Sequence, residues 1–229
     1  QMDVENLPRV QAEQQGLAQT KDNGHPYMTT YATLKSDIAG WLLRDDLTTA
    51  IPSFIRLAEA SIRRDVRIRQ MLRTYTLTLS AQSQALPEDF MEMERAVVDS
   101  TTAYALKYMP PSALFSSSAY HDSGEPTFYT IEGDYFITAP DATGSDVLLS
   151  YYKAFSSLAN DTDTNWLLTN AYDVYLYGSL AHASPYIKED GRVQLWNAGY
   201  MDAVNKLNRA ERRSMFAGGP LAVQSVGGP

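Results

Sequence analysis

Four carboxylates within seven positions, Glu88, Asp89, Glu92 and Glu94, are the groups best placed by type and spacing for acid–base chemistry. Two carboxyls held in unlike surroundings can supply one protonated acid and one charged base, the pairing that cleaves glycosidic bonds. On a solvated face the same groups do no chemistry, and LPEDFMEME reads as a turn into a short acidic helical piece. The three histidines offer less. His25 and His121 fall in polar stretches, and His182 follows an apolar helical pattern that marks it as a core or helix-end residue. No HExxH, GxSxG, Walker A or GxGxxG pattern occurs, and Gly178-Ser179-Leu180 lies within a helical pattern without the closing glycine of a nucleophile elbow. The absence of cysteine removes disulfides and thiolate metal sites. The expectation is a protein with no catalytic residues, no cofactor and no metal.

Charge is distributed more informatively than its total of −8. Six arginines lie between residues 56 and 73 (Arg56, Arg63, Arg64, Arg67, Arg69 and Arg73), whereas Tyr108 to Tyr152 contains no lysine or arginine. That second stretch carries Asp122, Glu125, Glu132, Asp134, Asp141 and Asp146. Arg56, Arg63 and Arg67, at steps of seven and four, predict one stripe along a helix, with Glu59 on a neighbouring position. Such a stripe grips phosphate, or meets carboxylates bidentately across a subunit boundary. The net negative charge disfavours a nucleic-acid binder, which needs a basic surface to displace counterions. One basic helix and one acidic lobe suit copies that join head to side.

The elements that must position these groups follow from periodicity. Tyr31, Leu34, Ile38, Trp41 and Leu42 step as one helical face, as do Ile51, Phe54, Ala58, Ile62 and Val66, with Pro52 in the first turn. Helices are expected at about 30–44 and 49–71. TYTLTLS from Thr74 alternates as a strand, a strand pair broken at Ser100 to Thr102 follows, and Pro110-Pro111-Ser112 opens a small helix. Glu132-Gly133-Asp134 between Phe128–Ile131 and Tyr135–Thr138 is a hairpin signature, and a last strand spans Val147 to Phe155. Two aromatic helices close the folded part at about 165–185 and 190–213, carrying Trp166, Tyr175, Tyr177, Trp196 and Tyr200. The expected fold is therefore mainly α: a helical bundle, two N-terminal and two C-terminal helices, with an inserted β-rich lobe at about 72–156. Residues 1–27 and 214–229 are expected to be extended arms held by neighbours, for they are rich in glutamine, or in glycine and proline. No apolar run reaches the roughly 20 residues of a membrane-spanning helix, and residues 1–27 lack the basic start and apolar core of a secretory signal.

The segments MTTYATLKSDIAGWLLRDDLTTAIPSFIRLAEASIRRDVRIRQM, LPEDFMEMERAVVD, GEPTFYTIEGDYFITAPD and the block from NWLLTNAYDVYLYGSLAH to QLWNAGY, in that order, resemble the head-to-tail adaptor proteins of tailed bacteriophages, of the short-tailed type. The likeness covers about residues 28–213. It implies a virion protein, made in the host cytoplasm, that forms a ring of twelve copies under the portal protein, binds tail nozzle or fibre proteins, and continues the channel through which genomic DNA passes without specific binding. In such adaptors the C-terminal segment extends along the portal, and the apolar positions of that segment here are Met215, Phe216, Leu221, Val223 and Val226. Arg56, Arg63, Arg67, Tyr175 and Tyr200 are the candidates for the subunit interface. Glu88, Glu92, Glu132, Asp134 and Asp141 are the candidates for a channel wall that repels phosphates. The alternatives are another tail ring, such as a stopper or nozzle component, a tail-associated cell-wall hydrolase using Glu88 and Glu92, and a DNA-binding module.

Overall fold

The computed structural model describes residues 29–183, 186 and 191–216. Helix α1 (Tyr31–Leu42) starts at Thr30, which exchanges a capping box with Thr33, and ends at Leu43 in the left-handed region. Helix α2 (Ile51–Asp65) follows, with Pro52 in its first turn. A short 3-10 turn, Arg69–Met71, then leads into strands β1 (Leu72–Thr78), β2 (Ser83–Ala85), β3 (Phe90–Val98), β4 (Tyr104–Ala105) and β5 (Lys107–Tyr108). Helix α3 (Pro111–Phe115), a 3-10 turn at Ser118–His121, and strands β6 (Phe128–Glu132), β7 (Tyr135–Ala139) and β8 (Asp146–Lys153) complete the β part. Three helices end the described chain: α4 (Trp166–Asn170), α5 (Tyr172–His182) and α6 (Arg192–Phe216).

The mainly-α expectation is corrected. Of the described residues 43% are helical and 24% are in strands, and these strands form two four-stranded sheets rather than a small inserted lobe. One sheet has the order β1-β8-β3-β4 and is antiparallel throughout; the other has the order β2-β7-β6-β5, with β5 parallel to β6. The chain changes sheet at four steps, β1 to β2, β2 to β3, β4 to β5 and β7 to β8. Val147, Leu149 and Tyr151 of β8 meet Phe136 and Tyr129 of the second sheet in a core of their own, joined by Leu77, Leu79, Ala96 and Val98. A substantial sandwich results because the acidic stretch expected to be helical is strand β3, the longest of the sheet. There Met91-Glu92-Met93-Glu94 alternates apolar and charged residues with period two, and the pairing with β8 shifts register between Phe90 and Glu92 and between Met93 and Arg95. Asp89 anchors its start by accepting from the Tyr151 hydroxyl at 2.7 Å and from Arg73 at 2.8 Å. Burial and the Asp89 carboxylate push the Tyr151 phenol up to about 12.

A second core gathers the helices. Tyr31, Leu34 and Ile38 of α1, Phe54, Ile55 and Ile62 of α2, Val174, Tyr175 and Leu180 of α5, and Trp196, Tyr200 and Val204 of α6 are all buried in it. Helix α5 packs against α1, α2 and α6 at once. Its approach to α6 rests on two mirrored dipeptides, Tyr177-Gly178 and Gly199-Tyr200. A Cβ built on Gly178 would stand 3.2 Å from both the Tyr200 ring and Ala58 of α2, and one on Gly199 would stand 3.2 Å from the Tyr177 ring. Each glycine thus accepts the other helix's tyrosine. The single helix expected at 165–185 is divided at Ala171 (φ −141°, ψ 58°), next to Asn170, whose side-chain Nδ2 donates to the Trp166 carbonyl at 2.8 Å. Tyr152, Met91, Phe155 and Met71 pack against this helical core and seat the sandwich on it.

Candidate functional site

The arginine-rich segment does not form one stripe. Helix α2 stops at Asp65, and Val66 is already extended, so the expected helix to residue 71 is cut short. Arg67 lies beyond the end and turns back: it donates to the carbonyls of Arg63 (2.8 Å) and Val66 (2.7 Å), and its Nε reaches Glu92 Oε2 at 2.7 Å. It therefore caps the helix and ties it to β3. Arg69 pairs with Glu211 at 3.3 Å, Arg73 pairs with Asp89, and Arg64 donates to Ser61 Oγ at 3.2 Å. Ser61 Oγ lies 3.1 Å from His182 Nε2, and burial, then Arg64, lowers the His182 pKa. Four of the six arginines are thus engaged inside the chain.

Arg56 and Arg63 are the other two. Both are exposed, and the side chain of neither makes a hydrogen bond or an ion pair among the described residues. They stand two helical turns apart on α2, about 10.5 Å along the axis, on either side of Glu59. Between α2 and the segment that leaves β8 opens a cleft of about 380 Å³, lined by these three residues and by Ile62, Met71, Met91, Phe155 and Tyr175. Its floor is apolar and its rim cationic. Glu59 closes one side by accepting from the Leu158 amide at 2.9 Å. Burial pushes the Glu59 carboxyl up, against the Leu158 amide and the Arg63 guanidinium, which pull it down.

The expected interface tyrosines have been drawn inward. Tyr175 is 1% exposed, and its hydroxyl accepts from Asn165 Nδ2 at 2.8 Å, the same asparagine whose Oδ1 caps α4 by accepting from Leu168. Tyr200 is 7% exposed and donates to Asp65 Oδ2 at 2.9 Å. Burial pushes both phenols upward. Their rings serve the chain's own core and offer no face to a neighbour.

The acidic candidates divide as sharply. Glu92 is spent on Arg67, while Glu88 is exposed. Glu132 and Asp134 flank Gly133 (φ +57°) at the turn of the β6–β7 hairpin, both exposed, beside a Tyr135 ring that is 53% exposed. Asp141 lies at the opposite end of β7 and is occupied locally, accepting from the Thr143 amide at 3.0 Å and its hydroxyl at 2.7 Å. Met215 and Phe216 fall within α6 by backbone, whereas Leu221, Val223 and Val226, like the whole of 1–27, lie outside the described residues. Glu59 and Tyr135 were not among the expected site residues. Glu59 carries a sequence signal, since it sits three positions after Arg56 and four before Arg63; the exposure of Tyr135 carries none.

An α+β fold with an apolar cleft flanked by Arg56 and Arg63 and an exposed acidic hairpin turn offers the kind of surface that docks other chains. A family model described as SU10 adaptor protein matches residues 29–224, and the chain belongs to that family of bacteriophage adaptor proteins. No curated protein matches it. No described helix is long and apolar enough to cross a membrane.

Proposed function

We propose that the protein is a structural, non-catalytic component of the virion that forms a ring between the portal protein and the tail and prolongs the DNA channel. The observation that carries this reading is the cleft on α2: in an adaptor-family chain of net charge −8, two arginines line an apolar cleft and their side chains make no hydrogen bond or ion pair among the described residues. An unmatched cationic rim of that kind is matched by carboxylates of another chain. The C-terminal stretch with Met215, Phe216, Leu221, Val223 and Val226 is proposed as the portal contact: Met215 and Phe216 lie in the last turn of α6, and beyond them Leu221, Val223 and Val226 are interspersed with glycine, proline and small residues suited to an extended segment along a partner. Of the acidic candidates, Glu88 and Asp141 suit the bore, where carboxylates repel passing phosphates, while Glu92 is already neutralised by Arg67. Repetition around a ring, twelve copies in this proposal, multiplies weak individual contacts through effective concentration.

The test mixes the purified full chain with portal rings and images the product by electron microscopy. A closed ring of chain density beneath the portal is expected, with its copy number set by the portal's. Binding as isolated subunits, or no binding, would refute the proposal.

A further inference from the structure

Resting on the ring reading, we infer that the cleft beside Arg56 and Arg63 receives the β6–β7 hairpin tip, Glu132 to Tyr135, of a second copy of this chain. Three observations make the match. First, the charges complement: Glu132 and Asp134 have no hydrogen-bond or ion-pair partner for their side chains among the described residues, and neither have Arg56 and Arg63. A guanidinium reaches a carboxylate in a planar two-point contact, so a pair of each fixes register as well as attraction. Second, the apolar parts complement. Tyr135, cross-strand partner of Glu132, holds its ring in solvent next to the two acids, and the cleft floor between the arginines is built from Met71, Met91 and Phe155. Methionines accommodate an incoming ring readily. An aromatic with a polar tip seated in such a pocket is the usual anchor of a protein interface.

Third, both surfaces are stiff before they meet. The hairpin turn is braced by Leu86, whose amide donates to the Asp134 carbonyl at 2.8 Å, and the cleft wall is braced by Glu59 holding the Leu158 amide. Little ordering is then needed on contact. Glu88 and Asp141 match less well: neither is paired with an exposed ring in a projecting turn, and Asp141 is held by Thr143. Tip and cleft are different patches of one chain, so the contact is heterologous and propagates from copy to copy, closing into a ring when the rotation permits. Assigning Glu132 and Asp134 to this joint removes them from the channel wall.

The experiment uses the full chain, whose lack of cysteine makes introduced thiols unambiguous. One variant carries Arg56→Glu and Arg63→Glu, a second carries Glu132→Lys and Asp134→Lys, and circular dichroism verifies that each folds. Sedimentation velocity and portal-bound ring formation are measured for each variant and for their equimolar mixture. Each variant alone is expected to associate at least ~10-fold more weakly than the wild type, and the mixture to recover, because every joint then pairs opposite charges. A chain with Arg63→Cys should form a disulfide with a chain carrying Asp134→Cys, free in solution or on the portal, and neither should cross-link with itself. Unweakened variants, a mixture that does not recover, or absence of the cross-link in both settings overturns the inference. So does equal recovery when Glu88→Lys with Glu94→Lys replaces the hairpin variant, which would reduce the effect to net charge. Loss of association on deleting residues 1–28, with the hairpin variant unaffected, would assign the cleft to that segment instead. Normal portal-bound rings from both charge variants would leave the adaptor reading standing and this joint refuted, whereas failure of the wild type to form rings would refute the adaptor reading itself.

Discussion

Placing a methyl group at Gly178 tests the helical packing directly, because the effect has two opposed parts of known size. Replacing glycine by alanine inside a helix stabilises it by about 1 kcal/mol. Against that, the new Cβ would stand 3.2 Å from Ala58 Cβ and 3.2 and 3.3 Å from two atoms of the Tyr200 ring, where carbon contacts prefer about 3.5–4.0 Å. The squeeze is two-sided, so α5 cannot relieve one contact without worsening the other. Tyr200 cannot swing away either, since it is buried and its hydroxyl is held by Asp65 at 2.9 Å. Overpacking of this kind costs about 1–3 kcal/mol, so Gly178→Ala is expected to lose about 1 kcal/mol net. At this chain length that lowers Tm by about 2–4 °C. Gly199→Ala supplies the control. Its Cβ also meets a ring at 3.2 Å, but that ring belongs to Tyr177, which is only half-buried and can tilt outward, so the variant should fall within about 0.5 kcal/mol of the wild type. Urea titration with thermal melts of all three proteins decides it. A Gly178→Ala protein as stable as the wild type, or a larger loss at Gly199, would show that the mirrored tyrosine–glycine contacts do not set the distance between α5 and α6.

The charged groups give three further expectations. Burial raises the folded-state pKa of Glu59, so the stability linked to its protonation is complete below the unfolded value near 4 and disappears as pH rises through the folded value; Glu59→Gln, which keeps an acceptor for the Leu158 amide, should therefore gain on the wild type from pH 4 to 7 in urea midpoints. Asp89 runs the other way: burial opposes its ionisation, yet the Tyr151 and Arg73 hydrogen bonds outweigh it and its pKa is lowered, so its contribution is present above the unfolded value and is lost as pH falls through the folded one. Asp89→Asn should cost about 1–2 kcal/mol at pH 7 and much less at pH 3, and a deficit constant with pH would contradict the network. Arg67→Ala should lose about 1 kcal/mol by uncapping α2, and Arg67→Lys should not recover it, because a single ammonium cannot serve two carbonyls and Glu92 together; full recovery by lysine in thermal melts would count against the capping role.

Several features were legible in the residues alone because their causes are local. Helix faces such as Ile51-Phe54-Ala58-Ile62 and the Glu132-Gly133-Asp134 hairpin follow from spacing and turn chemistry, and the order of motifs led to the adaptor family. The stretch at Glu88 to Glu94 misled because methionine and glutamate favour helices, while its strand is imposed by pairing with β8 and by the Asp89 contacts to Arg73 and Tyr151. Two sheets rather than a small lobe could not be read either, since which strands pair depends on partners distant in the chain.

Sequence by itself determined the helical periodicities, the position of the hairpin turn, the separation of a basic segment from an acidic one, and the family. Only the tertiary structure decided which of the charges remain available. Arg64, Arg67, Arg69 and Arg73 look no different from Arg56 and Arg63 in the sequence, yet the fold brings Ser61, Glu92, Glu211 and Asp89 within reach of the first four and none of them to the other two. Likewise Tyr175 and Tyr200 are buried while Tyr135 is left in solvent. The physical reason is that periodicity places a side chain on a face of its own element, whereas burial and pairing depend on which other element arrives at that face.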